Sequence, residues 1–463
     1  MTSTYDAIII GAGQAGPPLA ARLTAAGMSV GFIERNLFGG TCVNTGCTPT
    51  KTLVASAYTA RLARRATEYG VSTVGEVTVD MKAVKARKDA VVTRTRKGVE
   101  SWLEGMERCT VYRGHACFLS PHEVQIGGDR IAAKQIFINV GGRALVPNLP
   151  GIDRVATLTN TSILELDMLP QHLIVIGGSY VGLEFAQAYR RFGAAVTVVE
   201  MAPRLIARED EDISAAVKEI LEAEGIAVRL NAECIRFEPR GAEIAVGVEC
   251  ASGPPDIIGS HVLLAVGRRP NTDDLGLDKA GVETDARGYI VVDDGLRTSA
   301  PNIWALGDCN GRGAFTHTSY NDFEIVAANL LDGEQRRVSD RIPGYALYID
   351  PPLGRVGMTE AQARATGRPL LVGRRPMTSV ARAIEKGETQ GFMMAIADAE
   401  THDILGAAIL GTGGDEAIHG ILDAMNARIP YTALQRAVPI HPTVSELIPT
   451  LLGEMKPMPV QSP

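Results

Sequence analysis

The 463-residue chain is 45% hydrophobic and 21% charged, with a net charge of −7. This balance fits an ordinary soluble protein with room for roughly three domains of about 150 residues. Lys and Arg do not dominate, which argues against non-specific binding to nucleic acid or acidic membranes, and no apolar run approaches the roughly 20 residues of a membrane-spanning helix.

At the N-terminus, MTSTYDAIIIGAGQAG lacks a basic leader, and its apolar run ends in a glycine loop instead of a cleavage site. A cytoplasmic location is expected. Residues 6–10 read as a short strand, followed by Gly11-Ala12-Gly13-Gln14-Ala15-Gly16 and an alanine-rich helix to about residue 26. A second strand over 29–33 ends in Glu34. The first glycine of such a loop permits a tight turn, the second admits a pyrophosphate close to the backbone, and the third lets helix and strand pack closely. The helix N-terminus supplies free N–H donors, and the acid is placed to accept from a ribose hydroxyl. Pro17 and Pro18 fall in the first helical turn, where proline is tolerated.

GGTCVNTGCTPTK follows, residues 39–51. The seven cysteines are odd in number and mostly scattered, which argues against a secreted disulfide framework and makes a close pair more telling. In an unbroken helix the Cα atoms of Cys42 and Cys47 would stand roughly 8.7 Å apart, whereas a disulfide needs less than about 7 Å. A bond between them requires a helix break, which Asn44 and Gly46 would tolerate. Pro49 suits the first turn of the helix that follows. Three readings compete. A zinc site lacks its second pair, and a structural staple closing so small a loop gains little. A redox pair fits best, because Lys51 and a helix N-terminus would both favour thiolate.

Residues 82–97 carry a basic run on an expected helix, with Met81, Val84, Val91 and Val92 as its apolar stripe and a solvated basic face. The nucleotide unit then repeats. A strand over 173–176 leads to Gly177-Gly178-Ser179-Tyr180-Val181-Gly182, a helix from about Leu183, and a strand over Ala195–Val199 ending in Glu200. Serine stands at the middle glycine position. A carboxylate at Glu200 favours a free 2′-hydroxyl, hence NADH, while Arg204 and Arg208 leave NADPH open. Strands are expected over 392–396 and 404–409. Near the C-terminus, "IHPTVSE" pairs His441 with Glu446. Histidine exchanges protons near pH 7, as thiol–disulfide exchange requires.

Together with "LLAVGRRPNTDDLGL" and "TSAPNIWALGDC", these motifs resemble those of the class I pyridine nucleotide–disulfide oxidoreductases, in the family's order and over nearly the whole chain. The resemblance implies an α/β fold: two Rossmann-like dinucleotide-binding domains plus a C-terminal α+β dimerisation domain. FAD would occupy 1–150 with 272–335, NAD(P)H 151–271, and the dimer interface 336–463. It implies that Cys42 is the interchange thiol and Cys47 the flavin-facing one, bonded as a redox-active disulfide. Lys51 would lie by the flavin and pair with Glu184. Gly11, Gly13, Gly16, Glu34, Gly40, Thr41, Ala116, Gly141, Asp308, Thr316 and His317 would contact FAD, and Gly177, Ser179, Gly182, Glu200 and Gly267 the NAD(P)H. The family's ATGSRP segment stands here as Asn139-Val140-Gly141-Gly142-Arg143. His441 and Glu446 would serve the partner subunit of a homodimer.

The expected activity is a relay from NAD(P)H through FAD and the cysteine pair to a disulfide or metal-ion acceptor, with no resident metal. "GCTPTK" looks like the mercuric-reductase-like flavoproteins, including those linked to oxidant and copper stress, although the tail "LLGEMKPMPVQSP" has no cysteine pair. Dihydrolipoamide dehydrogenase is the alternative reductase, and a non-catalytic flavin redox sensor the alternative of another class.

Overall fold

A computed structural model describes residues 2–72, 74–249 and 253–458. The first sheet contains β1 (Thr2–Ile10), β2 (Val30–Glu34), β3 (Cys109–Arg113), β4 (Ala116–Ser120), β5 (Glu123–Ile126) and β6 (Asp129–Ile138). Their order is β3-β2-β1-β6-β5-β4, and the late strand Ile303–Ala305 adds to β6. β1 runs parallel to both β2 and β6, and residues 7–10 and all of β2 are buried. Central parallel strands are covered on both faces, so they read as continuous apolar runs. β1 begins four residues earlier than its apolar run because Thr2–Tyr5 pair with Arg130–Ala133 of β6.

The crossover from β1 to β2 is α1 (Gly16–Ala25), with Pro17 in its first turn. Two further helices, α2 (Gly40–Thr45) and α3 (Cys47–Arg64), are separated only by Gly46. α4 (Met81–Glu104) starts on Asp80, whose carboxylate accepts from Lys82 N and Ala83 N. Its basic face departs from expectation at one residue: Lys88 is buried and paired with Asp89 at 2.5 Å and with Glu165 at 3.6 Å. Val91, read as part of the apolar stripe, is exposed, while Met81 and Val92 are buried.

The second sheet repeats the first. Strands His172–Ile176, Ala195–Val199 and Ala227–Arg229 pair in parallel, and His261–Leu264 and Thr157–Leu158 extend the other side. The crossover helix α5 (Tyr180–Phe192) starts three residues before the position read from sequence, and α6 (Glu211–Ala223) follows. The two units match in detail. Gly11 N donates to Ile33 O at 2.8 Å, and Gly177 N donates to Val199 O at 2.8 Å.

A six-stranded sheet, antiparallel throughout, spans Gly344–Leu347 to Lys456–Pro457 and is preceded by α7 (Thr316–Leu331). Its central strands are Phe392–Asp398 and Ile404–Leu410, one to two residues longer than expected. Neighbouring residues point to opposite faces. Met394 and Ile396 join the core shared with α5, whereas Met393, Ala395 and Ala397 pack with Ile418 and Leu451. Among the described residues no helix is long and apolar enough to cross a membrane.

Candidate active site

A cavity of about 1710 Å³ has both glycine loops and both motif cysteines in its wall. That is well above the roughly 300–1,000 Å³ of a single small-molecule site. Gly11 (φ +107°) and Gly177 (φ +110°) adopt left-handed backbone where a Cβ would collide with the carbonyls of Asn139 and Ala265. Gly13, Ser179 and Gly267 also line the cavity, but Gly16 and Gly182 do not. Those two pack each helix on its strand: a Cβ on either would strike the carbonyl of Gly11 or Gly177.

The acids that end the second strands share one arrangement. Glu34 accepts from Ala12 N at 2.7 Å and from Asn36 N at 2.7 Å. Glu200 accepts from Gly178 N at 2.6 Å and from Ala202 N at 2.8 Å. Each carboxylate is thus braced against its own loop while facing the cavity. Arg204 is paired with Glu211, but Arg208 lies exposed in the wall of the cavity that Glu200 also lines.

Asn139 sits where the family's ATGSRP segment begins. It is buried, its Nδ2 donates to Gly11 O at 3.2 Å, and it would touch a Cβ on Gly13. Gly40, Thr41, Ala116, Gly141, Asp308, Thr316 and His317 all line the cavity. Burial raises the Asp308 carboxyl, against the pull of Arg268 at 3.5 Å. Desolvation lowers the His317 imidazole, whose Nε2 bonds Gly344 O at 2.7 Å.

Cys42 ends up in α2 and Cys47 at the first position of α3. Gly46 makes the break, and Asn44 stays helical, its side chain donating to Phe38 O at 2.8 Å. A Cβ on Gly46 would stand 2.9 Å from Thr41 O. Gly46→Ala is therefore expected to cost about 1–3 kcal/mol and to slow disulfide closure by parting the thiols. A urea midpoint equal to wild type would contradict that close approach.

The two side chains meet, and in the reduced pair Cys42 can donate to Cys47. The bond from Cys42 pulls Cys47 down to about 6, helped by Thr316 and Lys51. The same contact, with burial, holds Cys42 far above the ordinary thiol range. Of the two, Cys47 is the one whose thiolate the site favours. Lys51 Nζ lies 2.7 Å from Glu184, and Glu184 is buried on α5. Tyr348, with no role in the sequence reading, clamps this pair: its N–H donates to Glu184 at 3.0 Å and its ring lies 4.5 Å from Lys51 Nζ.

A second unforeseen cluster adjoins the cavity. Tyr180 and Tyr345, both in its wall, donate to Glu209 at 3.1 and 2.6 Å, and Glu209 and Asp210 share the buried Arg355. Arg268 was visible inside the LLAVGRRPN motif without an evident role. It donates to Thr41 Oγ1 at 3.2 Å and to Gly142 O. His441 and Glu446 are joined at 2.8 Å, but the histidine side chain is 75% exposed and neither residue lines the thiol cavity. One chain alone does not bring this pair to the sulfurs.

Residues 5–322 match the family model for pyridine nucleotide-disulphide oxidoreductase, and residues 343–452 match that family's dimerisation domain. The chain is 37% identical to the probable pyridine nucleotide-disulfide oxidoreductase RclA of Escherichia coli, over 98% of this chain and 99% of that one. A solved structure, the Cu(II) complex of HOCl-induced flavoprotein disulfide reductase RclA from Escherichia coli, superposes with a TM-score of 0.89 at 36% identity, covering 98% of this chain and 99% of the other. A dihydrolipoyl dehydrogenase of Thermus scotoductus is 34% identical over 96% of this chain and 95% of its own. A mercuric reductase of Streptomyces lividans is 32% identical over 96% and 94%. The α/β architecture, the paired glycine loops and the thiol pair agree with these relationships: the chain belongs to the pyridine nucleotide-disulphide oxidoreductase family, enzymes that use FAD and NAD(P)H.

Proposed function

We propose that this enzyme passes electrons from NAD(P)H to an oxidised disulfide or a thiophilic metal ion, as a mercuric-reductase-like member of its family. The observation that carries the reading is Cys47, a depressed thiol open to a cavity whose wall also holds both glycine loops. In this reading residues 1–150 with 272–335 hold FAD, 151–271 hold NAD(P)H, and 336–463 form a homodimer interface. The glycine-walled cradles fit two dinucleotides, each ending at a helix N-terminus with a braced acid beyond it. FAD, when bound, supplies the ring that takes hydride from the nicotinamide and hands the electron pair to sulfur.

The remaining chemistry falls to the chain. Two electrons and one proton open the Cys42–Cys47 disulfide to a thiol and a thiolate. Cys42 gives its proton to His441 of the partner subunit and attacks one sulfur of an acceptor disulfide, and the sulfur released takes that proton back and leaves as a thiol. Cys47 thiolate then attacks the Cys42 sulfur, re-forming the disulfide and expelling the second half of the acceptor as a thiolate, which takes a proton from solvent. Glu446 orients the imidazole, and Lys51 keeps positive charge beside the thiolate.

Anaerobic NADH titration of the holoenzyme tests this. A thiolate lying against oxidised flavin should give long-wavelength absorbance, and that band should fade as pH drops through about 6. A wild-type protein that bleaches without the band at any pH would favour the redox-sensor reading. Side-by-side assays with dihydrolipoamide, glutathione disulfide, Hg(II) and Cu(II) decide the acceptor, and dominant dihydrolipoamide turnover would replace the first choice with the dehydrogenase.

A further inference from the structure

Cys47 is the first residue of the 18-residue helix α3, and its sulfur lies 3.3 Å from the hydroxyl of Thr316, the first residue of the 16-residue helix α7. Two helix N-termini thus meet at one sulfur, and each favours negative charge within its first turn. A threonine inside a helix usually turns its hydroxyl back onto the carbonyl four residues earlier. At the first position of α7 no such carbonyl exists, so the hydroxyl is free to point outward. Its hydroxyl lies 3.3 Å from Cys47 Sγ, and Cys42 is its other sulfur neighbour.

We infer that Thr316 is a catalytic residue for the thiol chemistry, its hydroxyl donating a hydrogen bond to the Cys47 sulfur and holding it as thiolate between electron transfers. The direction of the bond follows from charge. A thiolate has no proton to give, so the hydroxyl must donate. Cys42 donates from the other side and keeps its own proton, ready for transfer to a base when Cys42 turns on an acceptor. Hydrogen bonds to ionised acceptors are the strong ones, and this one exists only in the reduced protein, because a disulfide sulfur is a poor acceptor. Thr316 therefore stabilises the reduced, flavin-facing state selectively.

The other charged and titratable groups around Cys47 come from different elements. Lys51 on α3 makes the Cys47 thiol more acidic, and Glu184 on α5 opposes this. Tyr348 is itself raised, chiefly by burial, with Cys47 among its neighbours. None of these reproduces a hydroxyl donor at 3.3 Å.

The inference rests on the proposed reading of Cys47 as the flavin-facing thiol, and the test separates the two. The long-wavelength absorbance of the two-electron-reduced holoenzyme is titrated against pH for wild type, Thr316→Val and Thr316→Ser. Thr316→Val should raise the midpoint by about one unit, a roughly tenfold change in proton affinity. Thr316→Ser should stay with wild type. If Thr316→Val fails to hold flavin, the smaller Thr316→Ala takes its place. Equal shifts in the valine and serine variants would mean that packing, not the hydroxyl, is responsible, and no shift in either would mean that the hydroxyl is idle. Either result overturns the inference while leaving the site reading intact. A wild-type protein without the band at any pH overturns both.

Discussion

Replacing Cys47 with serine is expected to lower acceptor turnover by on the order of 10³-fold or more while leaving dinucleotide binding almost unchanged. Serine occupies the same place at the start of α3 and can still bond the Thr316 hydroxyl. It cannot form a disulfide with Cys42, and its hydroxyl ionises far above the working range. The long-wavelength band should vanish at every pH. Cys42→Ser should give a different signature. Its thiolate partner survives and the serine hydroxyl can still donate to it, so the band remains; in Cys42→Ala, which has no donor, the midpoint should move upward. Turnover should fall as far as in Cys47→Ser. Because the two sulfurs act as one unit, the double variant should be no worse than either single one. Stopped-flow reduction by NADH and steady-state acceptor assays measure both halves. Near-normal acceptor turnover in Cys47→Ser would remove the dithiol from the pathway.

The parts of this site that were legible in sequence are those set by local backbone chemistry. Gly11, Gly16, Gly177 and Gly182 declare themselves because a Cβ at each would strike a carbonyl of its own or a neighbouring strand. Gly46 was one of two residues able to break the helix, and the structure places the break there, where a Cβ would stand 2.9 Å from Thr41 O. His441 and Glu446 were legible as a pair because they lie five positions apart, but nothing local says which thiols they serve. Contacts between distant segments were silent. Lys88 looked like one more solvated cation until Glu165 approached it from another element. Tyr348 meets Lys51 and Glu184 from nearly three hundred and more than a hundred and fifty residues away, respectively. The strands over 392–398 and 404–410 lack a clear polar alternation because both faces are buried, one against α5 and the other beneath the last helices.

Arg355 is the extreme case of such silence and carries the largest expected stability effect. Its side chain has 0% exposure, as does that of Glu209, and Asp210 has 6%. The guanidinium reaches Glu209 at 2.7 Å and Asp210 at 2.5 Å, so one cation from the last sheet neutralises two carboxylates just ahead of α6. Arg355→Met fits the space but strands two buried charges, and breaking a buried pair in this way costs about 3–5 kcal/mol. The loss should read as a lower urea midpoint at unchanged slope. It should also depend on pH in a definite direction. Without arginine, protonating either buried carboxylate removes a stranded charge, so the folded variant gains protons that the unfolded chain does not and the defect shrinks on acidification. Arg355→Met with Glu209→Gln and Asp210→Asn removes the stranded charge and should recover most of the loss at pH 7. The cluster also touches function, because Glu209 accepts from Tyr180 and Tyr345 in the cavity wall. Arg355→Met should therefore raise KM for the pyridine nucleotide more than it lowers kcat. A variant as stable as wild type at pH 7, or one whose defect grows on acidification, would show that the arginine does not neutralise this pair.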